Sequence, residues 1–165
     1  MKLTVREARE SDHEALCPLW AQGDGLHARL QPDFFRVTRG LPRSHCHLSD
    51  VVAASEETLL AAEIVAHQPR LVGFVHVTVF DTPPHPLKVQ LRRGHVEEMV
   101  VEQEYRRQGV GRALMEAAAR WCRDRGAAQL LLTVWGGNEP AEAFYDRLGY
   151  RPVSHVLGRQ LGPAR

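Results

Sequence analysis

The spacing of apolar residues changes along the chain, and the order of these changes predicts a mixed α/β fold. Segments 58–66 and 71–80 are rich in β-branched and aromatic residues at a period near two, which predicts two paired strands. A shorter apolar run over 95–101 predicts another strand. Beyond it, apolar residues recur at helical spacing and form one face of a helix that Gly126 ends. These residues are Val110, Ala113, Leu114, Ala117 and Trp121.

Turn and capping residues place the elements that precede this region. A first strand over 3–8 leads into a helix over 13–22, which Gly23 and Gly25 are expected to end. A second helix is expected near 48–55. The first third of the chain thus predicts one strand followed by two helices.

The last third of the chain predicts a strand, a helix and a returning strand. Residues 130–135 are nearly all apolar, as expected for a strand that is covered on both faces. Asn138 can cap a helix that Gly149 ends. Segment 150–161 is expected to return as a strand or hairpin. Together the elements predict an α/β (α+β) fold.

Composition limits the classes of function. A chain of 165 residues with net charge +1 suggests one domain over 1–165, and it lacks the basic excess of a general nucleic-acid binder. Its apolar runs are too short to span a membrane, and the N-terminus lacks the apolar core of a signal peptide, so a cytoplasmic location is the default expectation. The run His45-Cys46-His47 has no second ligand cluster at structural-zinc spacing, so no metal is expected. We instead interpret His45-Cys46-His47 as a loop that leads into a helix beginning near Ser49-Asp50.

The strongest chemical feature is segment Glu102–Arg112, which reads EQEYRRQGVGR and joins an apolar strand to a long helix. Unpaired N–H groups at a helix N-terminus and the helix dipole favour a bound anion. Gly109 and Gly111 allow close approach of the backbone, although they also fit a tight turn that needs positive φ. The arginines add positive charge, or they form a solvated basic face. The segment predicts a cradle for a pyrophosphate.

Two motifs resemble a known family. Val96–Leu114 carries R-x-x-G-x-G, with Arg106 first and Gly111 last, and Asn138–Tyr150 reads NEPAEAFYDRLGY. Together with the flanking strands and helices, they resemble the GNAT superfamily of acetyl-CoA-dependent N-acetyltransferases. The resemblance covers about 58–161, while the first 57 residues fit only by the order of their elements.

The resemblance implies a mostly antiparallel central sheet flanked by helices, with one parallel strand pair that splays apart around the coenzyme. It places the pantetheine arm on the backbone of Met99 and Val101, and the pyrophosphate on the amides of 107–112. Asn138 caps its helix, contacts the coenzyme, or does both. The cofactor-binding core is expected at about 95–150. The residues implied for acetyl-CoA are Met99, Val100, Val101, Arg106, Arg107, Gln108, Gly109, Val110, Gly111, Arg112 and Asn138.

The resemblance also implies catalytic roles. Tyr145 matches the family's general acid, which would protonate the leaving thiolate; its alternative role is a core aromatic beside Phe144. Glu97 is the favoured base, with His95 as a second member or relay. Strand alternation is expected to place His95, Glu97, Met99 and Val101 on one face and Glu98 on the other. The alternative is a water chain beside solvent-facing charges, for which Glu98 is the better candidate.

The implied activity is acetyl transfer from acetyl-CoA to a primary amine by direct attack in a ternary complex. The alternative is an acyl-CoA-binding sensor or partner-docking module that has lost the chemistry. A dinucleotide-binding domain is disfavoured by the glycine spacing and by the lack of a following acidic residue. The acceptor stays open among small amines, polyamines, aminoglycosides, amino acids, peptide N-termini and lysines. Because dimers are common in the family, a homodimer also stays open.

Overall fold

The computed structural model describes residues 2–37, 43–159 and 161–162. Its strands are β1 (Leu3–Glu7), β2 (Glu57–Ile64), β3 (Arg70–Asp81), β4 (Arg92–Val101) and β5 (Gln129–Leu132). Its helices are α1 (His13–Leu30), α2 (His45–Ala53), α3 (Val110–Asp124) and α4 (Glu139–Arg147). None of the helices in these described ranges is both long enough and apolar enough to cross a membrane.

The five strands form one sheet in chain order. Strands β1 to β4 pair antiparallel with their neighbours, whereas β4 and β5 are parallel. A parallel pair needs a crossover connection, which α3 supplies. The expected mixed sheet, mostly antiparallel with one parallel pair, is confirmed.

Helices cover both faces of the sheet, because β2 and β3 carry apolar side chains on both faces. On one face, α3 packs Leu114 and Trp121 against strand residues such as Val77 and Val96. On the other face, α1 and α2 pack Trp20 and Leu48 against Phe74 and Val100. The end of β4 is therefore held from both sides.

Helix α1 continues through the two glycines that were expected to end it. Gly23 is buried, and a Cβ built there would lie 2.9 Å from both Glu98 Oε1 and Val100 Cγ2. The prediction of a helix over 13–22 is wrong in its end, because Gly23 serves close packing against β4 rather than a turn. Helix α1 thus runs eight residues beyond its predicted end, and Gly23 lies against the end of β4.

Helix α2 begins earlier than expected. Ser44 caps it by accepting a hydrogen bond from the N–H of His47 at 3.3 Å, so His45-Cys46-His47 forms the first helical turn. The prediction of a loop leading to a helix start near Ser49-Asp50 is wrong. Among the described residues, no group of three or more His, Cys, Asp or Glu side chains lies close enough to hold a metal ion.

The C-terminal region differs most from the sequence-based expectation. Strand β5 ends at Leu132, and its leucines are only half-buried rather than covered on both faces. After α4, residues 151–159 form neither a strand nor a hairpin, and each of them is exposed. The expected returning strand has no partner within the described part of this chain.

Candidate active site

A cleft opens where β4 and β5 stop pairing. The parallel ladder runs from Arg93 opposite Gln129 to Val96 opposite Leu132, after which β4 continues alone to Val101. A cavity of about 730 Å³ lies at this point. Its walls come from α1, the end of β4, the turn before α3, and α4. The splayed parallel pair implied by the resemblance is therefore present.

The cleft gathers nearly all of the site residues expected from the sequence. Two residues are not part of its lining: Val110 is buried in the core below α3, and Gln108 donates its side-chain amide to the carbonyl of Glu104 at 2.7 Å. The expected residues that do line it are His95, Glu97, Met99, Val100, Val101, Arg106, Arg107, Gly109, Gly111, Arg112, Asn138 and Tyr145.

The turn before α3 contains two residues in the left-handed region. Gly109, the N-cap of α3, has φ 87° and ψ −8°, and Arg107 has φ 59°. Left-handed residues turn successive N–H groups toward one side and so form an anion-binding concavity. A non-glycine residue in this region costs free energy, and such strain concentrates at functional sites. The geometry suits a bound phosphate.

The two glycines of this turn have different structural roles. Nothing lies within 4 Å of a Cβ built on Gly109, so the positive φ alone demands glycine there. Gly111 lies inside α3, and its Cβ would come within 3.1 Å of the Phe144 ring. The positive-φ interpretation is confirmed for Gly109 and wrong for Gly111, which instead lets α4 approach α3.

The carbonyl of Val101 is already occupied. It accepts hydrogen bonds from Arg106 Nε and Gln22 Nε2, both at 3.0 Å. The Arg106 side chain is thereby held against the end of β4 and is not part of a solvated basic face. Two side chains therefore compete for the carbonyl to which the resemblance assigns the pantetheine arm.

A β-bulge at Glu97 reverses the alternation of β4. His76 of β3 opposes Glu98 while the next residue, Val77, opposes Val96, so Glu97 is the extra residue. As a result Met99 and Val101 pack with Val96 on the α3 side, whereas Val100 packs on the α1 side. The predicted common face for His95, Glu97, Met99 and Val101 is therefore wrong, because regular alternation does not survive an inserted residue.

Glu98 is the buried carboxyl of the cleft. Its side chain is 10% exposed, and Oε2 accepts a hydrogen bond from Arg43 Nη2 at 2.9 Å. The other oxygen, Oε1, is buried without a hydrogen-bond partner in the described chain. Burial raises the pKa of Glu98 to about 7, against the lowering effect of the Arg43 charge. The expectation that Glu98 is the solvent-facing acid of this strand is wrong.

Glu97 and His95 form a more open pair beside it. One oxygen of Glu97 lies 3.0 Å from His95 Nδ1 and accepts a hydrogen bond from the Thr78 hydroxyl at 2.8 Å. The Glu97 side chain is 42% exposed. The cleft thus offers two different carboxyls, one exposed and hydrogen-bonded and the other buried with a free oxygen.

Helix α4 supplies Tyr145 and Asn138 from the opposite wall. The Asn138 side chain accepts from the N–H of Ala141 at 3.4 Å, which confirms its capping role. The Tyr145 ring packs edge-on against Phe144 and Tyr150. Burial raises the pKa of Tyr145 to about 12, so its hydroxyl keeps its proton at neutral pH.

Sequence reasoning missed Arg43 and misplaced Glu98. Arg43 also contacts Asp24 at 3.2 Å, and its guanidinium lies 5.5 Å from the centre of the Trp20 ring. No local pattern marks Arg43, because it lies 55 residues before Glu98 in the chain. The bulge at Glu97 also leaves no trace in the spacing of apolar residues.

The comparison with known families decides the identity of this fold. The model of the Acetyltransferase (GNAT) family matches residues 24–150, which is most of the chain. The chain belongs to the GNAT family.

Relatives of this GNAT chain include a glucosamine 6-phosphate N-acetyltransferase from Trypanosoma brucei brucei. It is 26% identical over 117 residues, which cover 70% of this chain and 76% of the relative. Two further curated relatives, both acetyltransferases, are matched over only 41% and 26% of their own length.

Solved structures share the GNAT fold at low sequence identity. A mutant of the BH1408 protein from Bacillus halodurans matches with a TM-score of 0.88 at 23% identity, over 96% of this chain and 99% of that one. The structure of AAC(6')-Iy in complex with the bisubstrate analogue CoA-S-monomethyl-acetylneamine matches with a TM-score of 0.68 at 17% identity, over 99% of this chain and all of that one.

GNAT proteins use acetyl-CoA, and the cleft of this member fits such a ligand. Phosphates suit the two left-handed residues Arg107 and Gly109 and the first amides of α3, which have no partners within the helix. The gap between β4 and β5 suits an extended arm. Family membership supports acyl transfer to an amine in general terms.

Proposed function

We propose that this chain transfers an acetyl group from acetyl-CoA to a primary amine, by direct attack of the amine in a ternary complex. The proposal rests on one observation, which is that three chemically different groups line the same cleft. A strained turn suited to phosphate, a buried carboxyl with a free oxygen and a protonated phenol all line it. These groups correspond to the binding site for the donor, the general base and the general acid that aminolysis of a thioester requires.

The donor would be held by the turn before α3 and by the end of β4. Acetyl-CoA, when bound, supplies the acetyl group as an activated thioester. Arg107, Gly109 and Arg112 border the cleft where the α3 dipole is positive, so we assign the pyrophosphate to them. We assign the pantetheine arm to the backbone of Met99 and Val101, as the resemblance implies. Arg106 would then release its hydrogen bond to the Val101 carbonyl.

We assign the base to Glu98, with the Glu97–His95 pair as the rival. A protonated amine must lose a proton before it attacks, and a base works best when its pKa lies near the working pH. Burial brings the pKa of Glu98 to about 7, and its Oε1 is free to accept the proton. Glu97 is exposed, and both His95 and Thr78 bond to the same oxygen of its carboxylate.

We assign the general acid to Tyr145. It lies on the α4 wall of the cleft, across from β4, and burial keeps its phenol protonated. A phenol in this position can donate its proton to the sulfur as the thiolate leaves. Base and acid would then act from opposite walls.

The test is an acetyl-transfer screen of the purified chain with acetyl-CoA. The acceptors are polyamines, aminoglycosides, amino acids, peptide N-termini, lysines and small amines. We expect release of free coenzyme thiol that depends on one acceptor class, with the acetylated product identified by mass spectrometry. Calorimetric binding of acetyl-CoA without acceptor-dependent thiol release would instead favour a sensor or docking module. Absence of binding would contradict both.

A further inference from the structure

Four aromatic side chains meet where α1 ends against the loop that follows β5. We call His27, Phe34, Phe35 and Trp135 the aromatic corner. The Phe35 ring stacks on His27 at 5.1 Å between ring centres and meets the Trp135 ring edge-on at 4.7 Å. Phe34 packs against the same Trp135 ring at 5.4 Å. The orientation of each ring is therefore fixed by a neighbouring ring.

Contacts beside the aromatic corner join α1 to the loop after β5. Gln31, the C-cap of α1, donates its side-chain amide to the carbonyl of Gly136 at 2.7 Å. Leu30 Cδ2 lies 3.9 Å from a Cβ built on Gly137. The corner is thus part of the folded framework, so a ligand that contacts it does not have to order it.

Two rings of the corner, His27 and Trp135, line the cleft on the same side as Glu98. Gly23, Leu26 and His27 are spaced by three and four residues, so they share the face of α1 that borders the cleft. Gly23 packs directly on Glu98. The turn before α3 belongs to the other face of the sheet. A donor held by that turn leaves the α1 side of the cleft to the acceptor.

The charges on this side of the cleft suit an amine on an uncharged body. Burial lowers the pKa of His27 below its usual value, so its ring is neutral at neutral pH. Glu97 and Glu98 line the cleft nearby and attract a cation. The arginines that line the described part of the cleft belong instead to the turn before α3 or to the end of α4: Arg106, Arg107, Arg112 and Arg147.

We propose, on the basis of the acetyl transfer proposed above, that the acceptor is an arylalkylamine, in which a short aliphatic linker joins the amine to an uncharged aromatic ring. The ring packs against Trp135 and His27, as aromatic pairs favour. The ammonium gives one proton to Glu98, and the free amine bonds to the thioester carbonyl carbon. As the C–S bond breaks, Tyr145 gives its proton to sulfur, and the second proton lost from nitrogen restores the phenol.

The first experiment compares 2-phenylethylamine with n-butylamine, spermidine and O-phosphoethanolamine at saturating acetyl-CoA. Because the two lining rings favour an aromatic ring, we expect kcat/KM for 2-phenylethylamine to exceed each of the other values by about tenfold or more. A smaller ratio against any of the three would overturn the assignment of the acceptor, while turnover itself would leave the acetyl transfer standing.

Trp135→Leu removes one lining ring and keeps an apolar side chain. The ratio of kcat/KM for 2-phenylethylamine to that for n-butylamine should fall about tenfold, and Trp135→Phe should restore part of it. A structural defect alone would lower both values together, and an unchanged ratio would overturn the assignment. Phe80→Leu is the matched control, since Phe80 is 40% exposed on β3 and outside the cleft. If Trp135→Leu does not fold, His27→Leu makes the same test.

Binding without turnover separates the acceptor assignment from the proposed reaction. Calorimetry measures 2-phenylethylamine added to the chain saturated with coenzyme A. If no acceptor is acetylated, the proposed reaction fails. Binding that is about tenfold weaker in Trp135→Leu would still support a site for the ring in the aromatic corner. Absence of binding, or equal binding by the wild type and the variant, would overturn that site.

Discussion

Arg43 holds one carboxylate oxygen of Glu98 at 2.9 Å, while the other oxygen is buried without a hydrogen bond in the described chain. Arg43 lies just before α2 and Glu98 lies in β4, and Gly23 of α1 leaves the space in which the free oxygen lies. An orphaned buried oxygen normally costs free energy. Its retention beside the cleft is understandable if it accepts a proton during the reaction.

Replacing Arg43 should move the pH dependence of the reaction. The positive charge of Arg43 lowers the pKa of Glu98, so its removal in Arg43→Met should raise that pKa further. Because the base must be ionised, the acidic limb of kcat/KM should move from near pH 7 to higher pH, by about one unit. Arg120→Met, at an exposed site on α3, should leave the limb in place. If the acidic limb of kcat/KM lies at the same pH in Arg43→Met as in the wild type, Glu98 is not the base.

Glu98→Gln should lose activity and gain stability at neutral and higher pH. Loss of a general base costs about 10²–10⁴-fold in kcat. The folded-state pKa of about 7 lies above the unfolded value of 4.5, so the wild type loses stability as pH rises between these values. The free energy of unfolding of the variant should therefore exceed that of the wild type by up to about 3 kcal/mol above pH 7.

Urea unfolding at pH 5 and pH 8, together with steady-state kinetics, measures both effects. Glu97→Gln is the matched control, since it makes the same change from carboxyl to amide one residue away, on an exposed side chain. If Glu97→Gln rather than Glu98→Gln abolishes turnover, the base is the Glu97–His95 pair.

Two glycines of α1 should respond oppositely to alanine. A Cβ at Gly23 would overlap Glu98 and Val100 at 2.9 Å, so Gly23→Ala should cost about 1–3 kcal/mol and displace the carboxyl. At Gly25 the nearest atom is Arg29 Nη1 at 3.5 Å, so Gly25→Ala should stabilise the helix by about 0.5–1 kcal/mol. Thermal unfolding and kcat together check this pair. Equal effects at the two positions would argue against close packing at Gly23.

Gly109→Ala should weaken donor binding as well as folding. At φ 87° a Cβ costs about 1–2 kcal/mol, although nothing lies within 4 Å of it. Relaxation of that strain would turn the amides of the turn away from the phosphate site. Titration calorimetry with acetyl-CoA should show a Kd raised about tenfold or more, as loss of about 1.4 kcal/mol implies. An unchanged Kd would place the pyrophosphate elsewhere.

Tyr145→Phe should reduce turnover while leaving acetyl-CoA affinity nearly unchanged. The substitution removes only the hydroxyl and keeps the ring that packs against Phe144 and Tyr150. We expect kcat to fall about 10²–10⁴-fold and the Kd for acetyl-CoA to change little. Tyr105→Phe, in a tyrosine that packs against the core outside the cleft, serves as the control. Full turnover in Tyr145→Phe would refute the acid assignment.

The order and type of most elements could be predicted from the sequence because local periodicity determines them. The apolar face that includes Val110 and Trp121 predicts α3, and Asn138 marks the start of α4 through a cap that the structure contains. The strained turn at Gly109 also belongs to local chemistry, since it needs only a glycine between a strand and a helix. The residues that we assign to the donor were therefore accessible from the sequence.

The tertiary structure decided what local patterns do not encode. Gly23 looks like a helix end until β4 packs against it, and Glu98 looks solvent-facing until α1 and Arg43 cover it. The contact between Arg43 and Glu98 joins residues far apart in the chain. The sequence by itself thus determined the elements and the glycine turn before α3, because short-range spacing fixes them. Only tertiary packing decided which carboxyl is buried in the cleft, because burial depends on the neighbours that folding brings together.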